Sequence, residues 1–381
     1  MIRPDLSYIQ SIRHELHQYP ELGFELPRTL SVVRRELDSM GIAYTERYGK
    51  SSVVATLAPG RGTRRIALRA DMDALPVEEQ TGLPYASRIP GQMHACGHDC
   101  HTAMLLGTAK ALKQMEEELP CTVKLVFQPA EEISPSGARL MCEDGVQEEY
   151  DEILCAHVST APSGTVSLNR SVMSASCQSF RITVHGKSAH VANPHEAVDA
   201  IAIAAQIYTG IQLIRARQFP PREPLIIGIG TIHGGSASNV ICDCVTMDGT
   251  IRAHSMDTAL AARRKVDSFA AAMAAELGGS AELVWNELNP PVINDEQIAD
   301  RIIGIAGELL GPENVREHRG GMGGEDFAYL VNGRPGLKIQ IGAQKPGTPK
   351  FVGHGTTFNP DEDVLDIAPR IFLEYITRFG G

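Results

Sequence analysis

Between residues 177 and 289 the chain spells strand, helix, strand, strand, helix, strand, and few architectures can absorb that order. β-rich runs at 178–185, 224–233, 240–252 and 280–288 are separated by helical stretches at 194–217 and 256–277. This βαββαβ succession is the ferredoxin-like unit, and Pro290-Pro291 closes it. The rhythm on either side is different. Helical periodicity fills the first 40 residues, with a break at Tyr19-Pro20 and a stop at Gly41. Short β-rich runs at 52–57, 65–70, 121–127 and 152–157 then alternate with helical stretches at 101–118 and 136–144, and αβ alternation resumes after residue 290. Such alternation predicts a largely parallel α/β sheet with ligands gathered at the carboxyl ends of its strands. At 381 residues the chain is too long for one growing core. The expected organisation is therefore an α/β domain formed by residues 1–176 and 290–381, with residues 177–289 inserted into it.

Composition narrows the function. A net charge of −11 with pI near 5.6 supplies no field that would draw in nucleic acid or an anionic membrane. The most apolar long stretch, residues 197–214, is interrupted by Asp199, Gln206 and Gln212 and reads as an amphipathic helix rather than a membrane span. The opening residues lack the apolar run of a secretory signal, and eight unevenly spaced cysteines suggest reduced thiols, so a cytoplasmic protein is expected.

The chemistry concentrates in HACGHDCH, residues 94–101, which places two thiols, three imidazoles and a carboxylate within eight positions. In an extended segment Cys96 and His98 point the same way and can approach one ion together. Asp99 falls where a helix starts and suits either an N-cap or a ligand, and His101 would lie inside the first turn. Gln128-Pro129-Ala130-Glu131-Glu132 follows an apolar strand. Paired glutamates there can divide the work, one ligating and the other acting as a base, although Glu-Glu alone is usually a solvated loop. His157, at the end of a strand, and His354, in Phe-Val-Gly-His-Gly, add imidazoles. Each alone would more often be structural; several at the strand ends of one sheet form a candidate site. Asp71 and Asp73 can ligate metal or hold ligand imidazoles from behind.

Six segments in order, RADMDALPVEE (69–79), HACGHDCHTAMLLG (94–107), FQPAEE (127–132), GKSAHVANPHEAVDA (186–200), GGSASNVICD (234–243) and GEDFAYL (324–330), give the chain its resemblance to the amidohydrolase branch of the dinuclear metallopeptidases, which includes N-acyl amino acid amidohydrolases, hippurate hydrolases and auxin-conjugate hydrolases. The likeness spans essentially the whole chain. It implies a zinc-peptidase-like catalytic domain with an inserted ferredoxin-like domain that makes a homodimer or a dimer of dimers. It implies two divalent ions per subunit, Zn, Mn, Co or Ni, held by Cys96, His98, Glu132, His157 and His354, with the Cys96 thiolate bridging. Glu131 becomes general base and acid, and Asp73 a supporting carboxylate. Asp71 stands where more distant relatives have a ligand histidine. His190 would stabilise the oxyanion, while Asn239 and Arg252 would receive the substrate carboxylate, across a subunit boundary in some arrangements. Cys242 stands where the branch commonly has proline.

The reaction implied is hydrolysis of a small-molecule N-acyl amino acid to a carboxylic acid and a free amino acid. A dipeptidase or aminopeptidase of the same fold is the alternative within the class, distinguished by preference for an unblocked dipeptide. A non-catalytic metal or small-molecule binder is the alternative outside it, and it would have no need of an uncoordinated Glu131. A structural zinc module usually clusters its ligands in close pairs, unlike residues spread from 96 to 354.

Overall fold

The computed structural model describes residues 2–381, and two compact units divide them: residues 2–173 with Ile293–Arg319 and Asp326–Gly381, and Ser174–Val292 with Gly320–Glu325. The six residues Gly320–Glu325 thus group with the second unit, whereas the sequence reading left them in the first.

The first unit is built on an eight-stranded sheet. Its four central strands, in the order Thr122–Gln128, Arg65–Asp71, Glu152–Pro162 and Gly336–Gln344, run parallel. Leu68, Leu125, Leu154 and Ile339 in these strands are fully buried, as continuous apolar runs require when a sheet is covered on both faces. The flanks correct the expectation of a largely parallel sheet. Ala43–Thr45, Val53–Leu57 and Thr122–Gln128 pair antiparallel in succession, and Val166–Leu168 joins Gly336–Gln344 antiparallel. The link over residues 46–52 is too short for the crossover that a parallel pair needs.

The helix His98–Gln114 is buried along most of its length and packs on the helices Leu6–His17, Pro27–Met40 and Ile367–Phe379 and on the strand Arg65–Asp71. Gly97 is its N-cap residue, in the left-handed region at φ 91°, and a Cβ there would stand 2.4 Å from Val158 Cγ2. Glycine is required on both counts. Asp99 is therefore not the N-cap; it lies in the first turn and is buried. His101 does lie in that turn.

The second unit is a four-stranded antiparallel sheet in the order Ser280–Asn289, Ser176–His185, Cys244–Ala253, Leu225–Gly234, with the helices Ala200–Gln218 and Met256–Glu276. This is the βαββαβ order expected. Phe180, Ile182 and Val184 alternate inward along Ser176–His185 and pack with Ile203, Ile207 and Ile211 of the first of these helices. Two expected boundaries move. The helix begins after Asp199, whose carboxylate accepts from the Ile201 and Ala202 N–H groups, leaving Pro194–Glu196 as a separate turn. The strand expected from residue 240 begins at Cys244. Just before it, buried Cys242 donates its thiol to the Cys244 carbonyl at 3.0 Å, so the thiol serves a local turn. Among the described residues no helix is long and apolar enough to cross a membrane, and all eight cysteines are free.

Candidate metal centre

The three parallel strands Thr122–Gln128, Arg65–Asp71 and Glu152–Pro162 lie side by side, with Asp71 opposite Gln128 and Arg69 opposite Cys155. Three chain segments leaving this edge carry the expected donors. Residues 95–98 lead into the long helix, residues 129–132 follow Gln128, and His354 is attached from a distant part of the chain by its own N–H, which donates to the Ala95 carbonyl at 2.8 Å. His157 corrects a detail: its strand does not end there but runs on to Pro162. Those last residues pair with Gly336–Gln344, a partner far along the chain that local sequence does not announce.

The donors fall into two triads that share one atom. Cys96, His98 and His157 form one and Cys96, Glu132 and His354 the other, with potential ligand atoms within 4.8 Å of each other in each group. Cys96 Sγ lies 3.5 Å from His157 Nε2, and Glu132 Oε1 lies 3.3 Å from His354 Nε2 and 3.8 Å from His98 Nε2. His157 is oriented by donating Nδ1–H to the Val158 carbonyl at 2.6 Å, which turns Nε2 toward Cys96. Buried His98 Nε2 has no hydrogen-bond partner, an expensive arrangement unless a cation completes it. Thiolate, imidazole and carboxylate donors together suit a divalent ion of borderline softness. The electrostatics agree. Hydrogen bonds to Cys96 and then Glu132 raise the His354 imidazole to about 10. Burial works against the ionised Glu132 carboxyl, but His354 and His98 outweigh it and hold it below the ordinary range. The place attracts positive charge.

Backbone geometry explains how adjacent glutamates reach one point. Ala130 adopts φ 53° and reverses the chain after Pro129, and Asp73 then accepts from the Glu131 N–H at 3.0 Å and the Glu132 N–H at 3.2 Å. The same carboxylate stands 3.4 Å from His98 Nδ1. Asp73 thus stands against the His98 imidazole and fixes the Glu131-Glu132 turn, and Glu131 lies in reach of His98 and Glu132. His354 has φ 62°, a strained backbone for a non-glycine residue beside a site.

Asp71 and His101 are spent elsewhere. His101 Nδ1 meets Asp71 Oδ1 at 2.6 Å, and its Nε2 accepts the Val158 N–H at 3.0 Å, so both ring nitrogens are committed. Asp71 also receives Arg69 at 2.8 Å. Arg69 reaches Asp326 at 3.0 Å, and Gln128 donates to both Asp326 oxygens. Four of the six sequence segments therefore meet in one buried hydrogen-bonded layer. His190 and Asn239 lie in the second unit, where residue 190 bridges residue 240 and the Val191 N–H donates to the Asn239 carbonyl. Arg252 lies near the far end of Cys244–Ala253 and donates to the Met322 carbonyl at 3.4 Å. Eight strand residues at about 3.4 Å each put roughly 27 Å between Cys244 and Arg252. One copy of the chain does not bring Asn239 and Arg252 together.

Sequence reasoning missed Arg13 and His17, which close on Asp99, and Glu79, which meets the far side of the His17 ring. The only available sign was Arg13 and His17 at i and i+4, which ordinary surface helices share.

The profile of peptidase family M20/M25/M40 matches residues 67–378. An IAA-amino acid hydrolase (ILR1-like 4) of Arabidopsis thaliana is 35% identical over 98% of this chain and 86% of its own length. An N-acetylcysteine deacetylase of Bacillus subtilis is 36% identical over 96% of this chain and 94% of its own. A solved structure described as a dinuclear metal-binding peptidase of the M20 family from Bacillus subtilis superposes with TM-score 0.84 at 33% identity, covering 98% of this chain and 97% of that one. With that fold, these relatives and a donor set suited to divalent metal, the chain belongs to peptidase family M20/M25/M40 and is a metal-dependent hydrolase.

Proposed function

We propose that this protein hydrolyses the amide bond of small N-acyl amino acids, releasing a carboxylic acid and a free amino acid, at a site holding two divalent ions. The observation that carries this reading is the pair of triads sharing Cys96, with Glu131 held beside them by Asp73. Cys96, His98, Glu132, His157 and His354 would hold the ions, of which Zn, Mn, Co and Ni suit a thiolate and imidazole set. Ions bound there supply Lewis acidity toward an amide carbonyl and acidify water. Glu131 takes the proton of the attacking water and returns it to the departing nitrogen, without which the amine is a poor leaving group. Asp73 keeps Glu131 in place through its N–H. Relatives named for IAA-amino acids and N-acetylcysteine share the N-acyl amino acid type, and this supports the substrate class.

In this reading Asn239 and Arg252 receive the substrate's free carboxylate and His190 stabilises the oxyanion. The strand Cys244–Ala253 separates Arg252 from the segment that carries Asn239, and this supports a substrate that meets the two residues from two copies of the chain in a homodimer. The deciding experiment compares N-acetyl, N-benzoyl and indoleacetyl amino acids with the corresponding amino acid amides in wild type and Arg252→Ala. Loss of the charge-assisted contact should lower kcat/KM for the acids by about two orders of magnitude and spare the amides. Equal losses on both would remove Arg252 from recognition. A faster reaction on unblocked dipeptides would replace the reading with a dipeptidase.

A further inference from the structure

Behind the loop that carries Cys96 and His98 lies a buried charge cluster with no part in the chemistry above. Asp99 Oδ2 receives Arg13 Nε at 3.1 Å and His17 Nδ1 at 2.8 Å, and all three side chains are completely buried. Arg13 continues to Glu362 at 2.7 Å and to the Tyr85 hydroxyl at 3.2 Å, and His17 Nε2 to Glu79 at 3.3 Å. Burying this many charges costs several kcal/mol per ion before their mutual attraction offsets it, so the cluster is a weak source of stability. What it does provide is geometry. Successive helix residues point about 100° apart. His98 faces Asp71 and Asp73, while Asp99, the next residue, faces the helix Leu6–His17.

That helix runs antiparallel to His98–Gln114 in close contact. Ile9 sits against Gly107, where a Cβ would come within 2.4 Å of Ile9 Cγ1, and eight residues along each helix His17 meets Asp99. Ile9, Arg13 and His17 follow one stripe at a spacing of four. A slip by one turn would move Asp99 by about 5.4 Å and leave buried charges unpaired. The register of the long helix, and with it the position of its first residue His98 and of Cys96 across Gly97, is thereby set from outside the site.

We propose that Arg13 and His17 are positioning residues for the loop Cys96-Gly97-His98, acting through Asp99. The proposal rests on Cys96 and His98 being metal ligands. The test uses the full-length protein loaded with cobalt(II), reading the cobalt–thiolate absorption and the metal dissociation constant by chelator competition. In Asp99→Asn the affinity should fall about tenfold or more, with a shifted thiolate band. His17→Gln, which keeps a donor for Asp99, should move both in the same direction by less. Tyr375→Phe, which removes a buried hydrogen bond to Glu152 at the other end of the sheet, is the control and should leave both unchanged. Wild-type affinity and spectrum in folded Asp99→Asn overturn the proposal, as does an equal change in Tyr375→Phe. If Asp99→Asn does not fold, His17→Gln decides alone, and an unchanged affinity and band there overturn it. His98→Ala keeps the two readings separate. If it leaves affinity untouched the ligand assignment falls, and if it alone weakens binding only the positioning proposal falls.

Discussion

At the scale of single residues, the site depends on which hydrogen bonds each side chain has already made. HACGHDCH offers three imidazoles, yet only His98 joins the donors; His101 is committed to Asp71 and Val158, and His94 is buried, with burial pushing its pKa down to about 3. Glu131→Gln should therefore bind metal and fold as wild type while kcat falls by a factor of about 10² to 10⁴, since the amide keeps the shape and loses the base. Metal stoichiometry beside steady-state rates checks this, and a wild-type kcat would remove Glu131 from proton transfer. His17 yields a pH prediction. Burial alone would lower its pKa, but Asp99 and Glu79 outweigh burial and raise it to about 9 from an ordinary 6.5. A group whose pKa is raised by folding stabilises fully below its unfolded value and loses that contribution as pH climbs through the folded one. The stability of wild type relative to His17→Gln should thus shrink between pH 6.5 and 9, by on the order of 3 kcal/mol. Urea unfolding of both proteins across that range measures it, and parallel curves would refute it.

At the scale of elements, the helix His98–Gln114 carries the most consequence. Glycine inside a helix ordinarily costs about 1 kcal/mol relative to alanine, so Gly107→Ala on an exposed helix would stabilise. Here the added methyl meets Ile9 at 2.4 Å, and the sign should reverse to a loss of about 1 to 3 kcal/mol. Combining it with Ile9→Ala should recover part of that loss, and thermal unfolding of the two variants distinguishes this from a simple propensity effect. The helix also shows where element boundaries were hard to read. Its beginning was expected near residue 101 with Asp99 as a cap, because an acidic residue before an apolar run is the usual start signal. Gly97 took that place, as the chain had to turn sharply beneath Val158. The strand Glu152–Pro162 likewise outran its expected end because its last residues are held by Gly336–Gln344.

At the scale of the whole molecule, the second unit leaves apolar surface uncovered. Leu225–Gly234 is an edge strand with Ile226 and Ile232 exposed, and the helix Ala200–Gln218 exposes Ile201, Tyr208 and Leu213. An uncapped apolar edge is an aggregation hazard unless covered, and two-fold dimers are the commonest oligomers that could cover it. A homodimer is expected by light scattering at micromolar concentration, and Ile232→Lys should shift it to monomer. Since the proposed substrate contacts need two copies, that variant should also lose activity on N-acyl amino acids while keeping its metal. A monomeric wild type with full activity would defeat this.

The sequence by itself determined the α/β and βαββαβ pattern, the family likeness and the donor types, because periodicity and short motifs are written in neighbouring residues. The pairing of Glu131 with Glu132 was readable; how both reach one point depended on Ala130 at φ 53° and on Asp73, 58 residues before Glu131. The bridging place of Cys96 was implied by the family likeness; it took the tertiary structure to show that Asp71 and His101 satisfy each other and that Arg13 and His17 close on Asp99. These contacts, Asp71 with His101 and Arg13 and His17 with Asp99, join residues 30 or more positions apart, and in a close-packed interior such partners are selected by the packing of helices and strands, which no local pattern records.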